Sequence, residues 1–171
     1  MDPDPLPLLS ALFLVINLLW IQWIVVAVLL LCSALISGTE VSYFSLQLKS
    51  LEDQEETDSD LALQRVISLL KRPKRLLATI LVANNFINIA IVIVFTALSD
   101  SFLGDINPVL ELFIEVGIIT TLILIFGEIL PKVYANRNAL FFSKKMAPVI
   151  TTTERYIVFW NTYRISRTTS F

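Results

Sequence analysis

Residues 1–48 and 76–131 contain no lysine or arginine; all 13 basic residues fall in 49–75, 132–145 and 155–167. The cation-free stretches hold three apolar runs, over residues 6–36, 76–98 and 109–130. About 20 apolar residues cross a bilayer as a helix, so the second and third runs each match one crossing. The first run is 31 residues, too long for one span. With 56% hydrophobic and 16% charged residues and a mean hydropathy of +0.74, the composition excludes a water-soluble core. It predicts an all-α membrane protein with three transmembrane helices.

Loops rich in Lys and Arg stay in the cytoplasm and loops without them are translocated. The predicted topology therefore has the N-terminus outside, the C-terminus inside, and spans over residues 21–47, 76–98 and 109–130. A cleaved leader begins with positive charge; this chain begins "MDPDP", so the first run is expected to be retained. Trp20 and Trp23 suit an outer aromatic belt, leaving residues 1–20 as a separate interfacial or re-entrant segment.

Between the first two spans, acidic residues 52–60 read as a solvated loop. Ala62, Val66, Leu69 and Leu70 then recur at helical spacing among basic residues, the pattern of a helix lying on the inner membrane surface. "KVYANRNALFFSKKMAPVI" predicts a second such helix. The remaining residues, 151–171, are basic and aromatic and have no evident role. There is no histidine and only Cys32, which excludes imidazole proton relays, a disulfide within the chain and nitrogen-ligated metal sites. No phosphate-binding glycine loop, nucleophile with its base, or nucleic-acid motif occurs; neither an enzyme nor a nucleic-acid partner is expected.

Polar residues within spans are costly and mark function by default. Each span holds one cluster: Ser33, Ser37, Gly38 and Glu40 in the first, Asn84, Asn85 and Asn88 in the second, Gly127, Glu128 and Pro131 in the third. Counted at ~1.5 Å per residue from Trp23, Asp100 and Glu115 as outer anchors, the clusters lie at roughly the same depth, about 20 Å. Residues three or four apart share a helix face, so Ser33, Ser37 and Glu40 form one stripe and Asn84 and Asn88 another. Pro131 has no N–H, which takes the helical partner from the carbonyl four residues back, that of Gly127. A freed carbonyl beside a carboxylate, level with hydroxyls and amides, outlines an all-oxygen site for a hard cation, and Gly38 is a candidate for a similar loosening of the first span. The plainer alternatives are Ser and Asn as interhelical glue, a Glu128–Lys132 pair at i,i+4, and a structural hydrogen bond for Glu40.

"SGTEVSYFSL", "LKRPKRLLATILVANNFINI" and "GEILPKVYANRNAL", in this order and spacing, resemble the transmembrane domain of the CNNM/CorC family of magnesium transport proteins, and within it the branch linked to bacterial gliding motility. The resemblance covers residues 21–150. It implies a homodimer of three-span protomers with a belt of inner-surface helices, in a bacterial inner membrane and in contact with its lipid. It also implies a cation site formed by Ser37, Asn84 or Asn88, the Gly127 carbonyl and Glu128, with Ser33 and Glu40 as further candidates. The implied function is Mg²⁺ export coupled to Na⁺ entry by alternating access. The competing reading is a scaffold or sensor within a larger assembly that binds cation without moving it. Relatives of this type continue into a cytosolic CBS-domain pair and often a further small domain; this sequence contains neither, and nucleotide regulation does not follow for it.

Overall fold

A computed structural model describes residues 5–55, 60–99 and 107–168, with side chains for 18–48, 50–52, 60–99 and 107–156. Nothing interrupts the first helix, α1 (Pro5–Ser45). Between Pro7 and Gly38 there is neither proline nor glycine, so no residue in that stretch breaks the ladder, and residues 5–19 extend the same helix rather than forming a separate segment. Then come α2 (Leu48–Glu55), α3 (Leu61–Leu70) and α4 (Pro73–Ser99). Next, α5 (Pro108–Leu122) opens with Pro108 in its first turn and the Asn107 side chain accepting from the Val109 N–H at 2.9 Å, as helix starts favour. It passes through a π-helical segment (Ile123–Ile129) into α6 (Leu130–Arg137), and α7 (Ala139–Thr168) follows.

Three helices are long and apolar enough to cross a membrane: Leu18–Ser45, Pro73–Ser99 and Pro108–Arg137. Their outward faces carry large apolar side chains such as Phe86 and Phe113, each more than 70% exposed. Apolar surface of that extent belongs in lipid rather than water. α1 is the hub, packing against α4, the π segment, α6 and α7.

The main core lies at the basic end of this bundle, where Tyr43, Leu63, Val66, Leu76, Ala147 and Ile150 are buried together. There the Tyr43 hydroxyl donates to the Ser143 carbonyl at 3.3 Å, and the Ser143 hydroxyl to that of Ser42 at 3.0 Å. Leu63, Val66, Ile67 and Leu69 turn the apolar face of α3 into this core against α7. The apolar face of α3 is therefore covered by α7 and the rest of this core, where its amphipathic pattern alone suggested lipid. A smaller core of Ile91, Phe95 and Ile119 sits toward the other end, with Leu29 and Leu30 of α1 against it. The two cores fix α1 and α4 as antiparallel.

Gly38 does not loosen α1. A Cβ there would meet Phe142 Cζ at 2.8 Å and Ala135 Cβ at 3.3 Å; glycine lets the Phe142 ring of α7 and the backbone of α6 come close. The acidic stretch is also more structured than a loop: Glu52 lies in α2 and pairs with Lys71 at 3.0 Å. Asp60 caps α3 by accepting from the Ala62 N–H at 2.8 Å, and it meets Lys144 at 2.8 Å. The Lys144 hydrogen bond, then the Ala62 N–H, holds the Asp60 carboxyl below its ordinary value. A carboxyl lowered in the folded state adds stability above its unfolded pKa, and this is lost as pH falls through the folded one. Asp60→Ala is expected to lower the melting temperature at pH 7 more than Asp60→Asn, which keeps a cap but loses the charge pair. The gap between wild type and Asp60→Asn is expected to close below about pH 4. Thermal melts of the three proteins across pH check this.

Candidate metal centre

Where α1 crosses α4, the Ser33 hydroxyl donates to Asn88 Oδ1 at 2.8 Å. In an antiparallel pair, four residues on along α1 and four back along α4 reach one common level, which places Ser37 opposite Asn84. Ser37 is 1% exposed, and neither its hydroxyl oxygen nor the buried Asn84 Oδ1 has a hydrogen-bond partner. An unsatisfied buried polar atom costs about 1–3 kcal/mol, and native proteins keep few of them. Two on facing helices at one level form an electronegative locus with no partner among the described residues. Asn85, a neighbour in sequence, is exposed and lies off this face.

The third span supplies Gly127, which is buried. A Cβ there would lie 2.9 Å from Ser33 Oγ and 3.4 Å from Ser33 Cβ. Only glycine lets the backbone of this span approach the serine so closely. The helix does not break at Pro131. It widens beforehand into a π segment, whose C-terminal bond runs from the Leu130 N–H to the Ile125 carbonyl. In that register the next donor would be residue 131, which as proline has no N–H. The carbonyl deprived in π spacing is that of Phe126; in α spacing it is that of Gly127. Proline thus ends the π ladder beside the glycine, and π turns recur at functional sites.

Glu128 is half-buried and its carboxylate has no hydrogen bond or ion pair to any described residue. The alternative of a Glu128–Lys132 pair does not form, because Lys132 reaches across to Glu40 at 3.1 Å. Glu40 is thereby tied to α6, leaving Glu128 as the uncommitted carboxylate next to Gly127. Ser33 meets both Asn88 and Gly127; Ser37 and Asn84 lie one turn further along; Glu40 stands apart in its ion pair. Among the described residues no group of three or more His, Cys, Asp or Glu side chains gathers to hold a metal. The available donors are neutral oxygens and one carboxylate, a set suited to a hard cation.

Two features escaped sequence reasoning. The π segment has no compositional mark apart from the proline that ends it. Glu115, read above as an outer anchor, is 8% exposed with Oε1 unpartnered. Its i,i+4 relation to Ile119, which packs on Ile91 and Phe95 of α4, is the signal that puts it on the inward face.

Three spans packed round the Ser33–Asn88 hydrogen bond, with two unpartnered oxygens one turn along the first two, define a polytopic helical membrane protein with an oxygen-lined interhelical junction. The chain belongs to the family described as the cyclin M transmembrane N-terminal domain, which residues 24–165 match. Among similar proteins, a UPF0053 protein of Haemophilus influenzae is 32% identical over 68% of this chain and 27% of its own length. The UPF0053 inner membrane protein YfjD of Escherichia coli is 32% identical over 60% of the chain and 23% of its own length. The protein named metal transporter cnnm-4 of Caenorhabditis elegans is 32% identical over 69% of the chain and 26% of its own length. The chain thus spans about a quarter of the length of these relatives.

Proposed function

We propose that this chain is the membrane part of a metal transporter, and that the ion it moves is Mg²⁺, exported in exchange for Na⁺ entry by alternating access. The observation that carries this reading is the pair of buried, partnerless oxygens, Ser37 Oγ and Asn84 Oδ1, beside the junction of Ser33, Asn88 and Gly127. Ser37, Asn84, Asn88, the Gly127 carbonyl and Glu128 make up the ligand set, with Ser33 holding Asn88 in place. Glu40, committed to Lys132, ties α1 to α6. Mg²⁺ demands near-octahedral oxygen coordination and keeps several waters; a few neutral oxygens and one carboxylate replace part of that shell and supply compensating charge. A related protein named as a metal transporter supports the function class, and one named as an inner membrane protein supports a bacterial inner membrane location; the rule that loops rich in Lys and Arg stay inside puts the basic loops of this proposal in the cytoplasm. Three spans are few to enclose a path, so a homodimer belongs to the proposal.

The test is flux. Proteoliposomes holding the full chain, loaded with a Mg²⁺-sensitive dye under an imposed Na⁺ gradient, are expected to show Na⁺-dependent Mg²⁺ movement that empty vesicles lack. Mg²⁺ binding without movement would reject transport in favour of a cation-binding scaffold.

A further inference from the structure

At the basic end of the bundle two concavities adjoin on α7. One is a groove of about 590 Å³ between α1, α4 and α7, walled by Cys32, Leu35, Val82, Phe86, Val149 and Thr153. Thr153 donates its hydroxyl back to the Val149 carbonyl at 2.9 Å, so even this residue offers the groove little beyond its methyl group. The other is a cleft of about 380 Å³ between α3 and α7, lined by Arg65, Thr151, Thr152, Arg155 and Tyr156. They are neighbours because Val149, Thr152, Thr153 and Tyr156 follow one another at helical spacing along a single ridge of α7.

Among the described residues, no carboxylate offsets the charge of the cleft. Glu40, Glu52 and Asp60 are each taken by a lysine, Lys132, Lys71 and Lys144. Arg65 and Arg155 are exposed and make no ion pair with any described residue. Glu154, the one acidic residue of α7, projects about 100° round the helix from Arg155. Thr151 and Thr152 donate their hydroxyls to the Ala147 and Pro148 carbonyls, which leaves the two guanidinium groups and the Tyr156 phenol as the free donors. Guanidinium groups match phosphate oxygens through paired N–H donors. A two-arginine cleft set beside an apolar, bilayer-facing groove, with one ridge of α7 between them, has the polarity of one kind of molecule, with phosphate at one end and hydrocarbon at the other. Basic segments at the cytoplasmic membrane surface meet anionic lipid there.

We infer that Arg65 and Arg155 bind the headgroup of an anionic phospholipid whose acyl chain lies in the groove lined by Cys32, Phe86 and Val149. The site is separate from the Ser37–Asn84 locus and does not depend on the transport proposal. It also gives a role to the first residues of the basic, aromatic stretch after residue 150.

Native mass spectrometry of the full chain in detergent, titrated with phosphatidylglycerol or phosphatidylcholine, tests this. The wild type is expected to retain phosphatidylglycerol at least about tenfold better, the scale of two charge-assisted contacts. Arg65→Gln with Arg155→Gln is expected to reduce that preference to about twofold or less, while the lipid-free melting temperature and any Mg²⁺-induced stabilisation stay at wild-type values. Val149→Trp, which fills the groove and leaves both arginines in place, is expected to reduce phosphatidylglycerol retention several-fold. Equal retention of the two lipids by the wild type overturns the inference. So does displacement of phosphatidylglycerol by equimolar glycerol phosphate, which would make the cleft a site for soluble phosphate. A Cys32–Cys32 cross-link between two copies with no lipid retained also overturns it, by assigning the groove to a second copy of the chain.

Discussion

Glu128→Gln is expected to abolish the rise in melting temperature that Mg²⁺ gives the detergent-solubilised protein. A ligand at 100 times its Kd stabilises the folded state by about 2.7 kcal/mol, and the proposed site has one negative charge with which to hold a divalent ion. Glutamine keeps the shape and one acceptor oxygen but removes the charge. The neutral donors around it, Ser37, Asn84 and Asn88, compete poorly alone with water for a cation that dehydrates reluctantly. Glu128→Ala is expected to match Glu128→Gln. Glu40→Gln provides the contrast: it removes the half-exposed pair with Lys132, worth about 0–1 kcal/mol, and leaves the Mg²⁺ response intact. If Glu128→Gln retains the full response while Glu40→Gln loses it, the two carboxylates have been assigned the wrong way round. If neither variant changes the response, the junction of the three spans is not where Mg²⁺ binds.

Much of this arrangement was legible from the sequence because a membrane leaves few solutions. Backbone groups in lipid must be satisfied within the segment, so apolar runs without lysine or arginine read directly as the helices α1, α4 and α5 to α6. Polar residues at i,i+4 within them read as a shared face, and one member of each of the first two faces, Ser33 and Asn88, is hydrogen-bonded to the other. What periodicity cannot give is the partner of a face. The apolar stripe of α3 is equally consistent with lipid or with Ile150 and Met146 of α7, and only the assembled chain decides for the latter. Pairing among charges is likewise a matter of three-dimensional reach: Lys132 stands four residues from Glu128, yet its ammonium meets Glu40 of another helix. The effect of Pro131 was legible in kind, as a lost donor. Its expression as the end of a π segment depended on how the third span accommodates Ser33 beside Gly127, and no local signal records that.

That accommodation makes Gly127→Ala the sharpest test of the junction. The added Cβ falls 2.9 Å from Ser33 Oγ, closer than real contacts allow, so either the span moves outward or Ser33 rotates away and releases Asn88. Overpacking of this kind costs about 1–3 kcal/mol, and a released Asn88 Oδ1 adds a second unpartnered oxygen to the face that already holds that of Asn84. The expected result is a folded protein with a lower melting temperature and at least a tenfold weaker Mg²⁺ response. Ser33→Gly removes the clashing atoms, so the Ser33→Gly, Gly127→Ala double variant is expected to regain most of the lost stability, a coupling that a double-mutant cycle measures directly. It is not expected to regain Mg²⁺ binding, because nothing then holds the Asn88 side chain toward Ser37 and Asn84. Recovery of stability and binding together would show that Gly127 and Ser33 serve packing alone, and that Asn88 finds its place without the serine hydroxyl. Stability without binding is the outcome that ties the glycine of the π segment to the ion through a serine on a different helix.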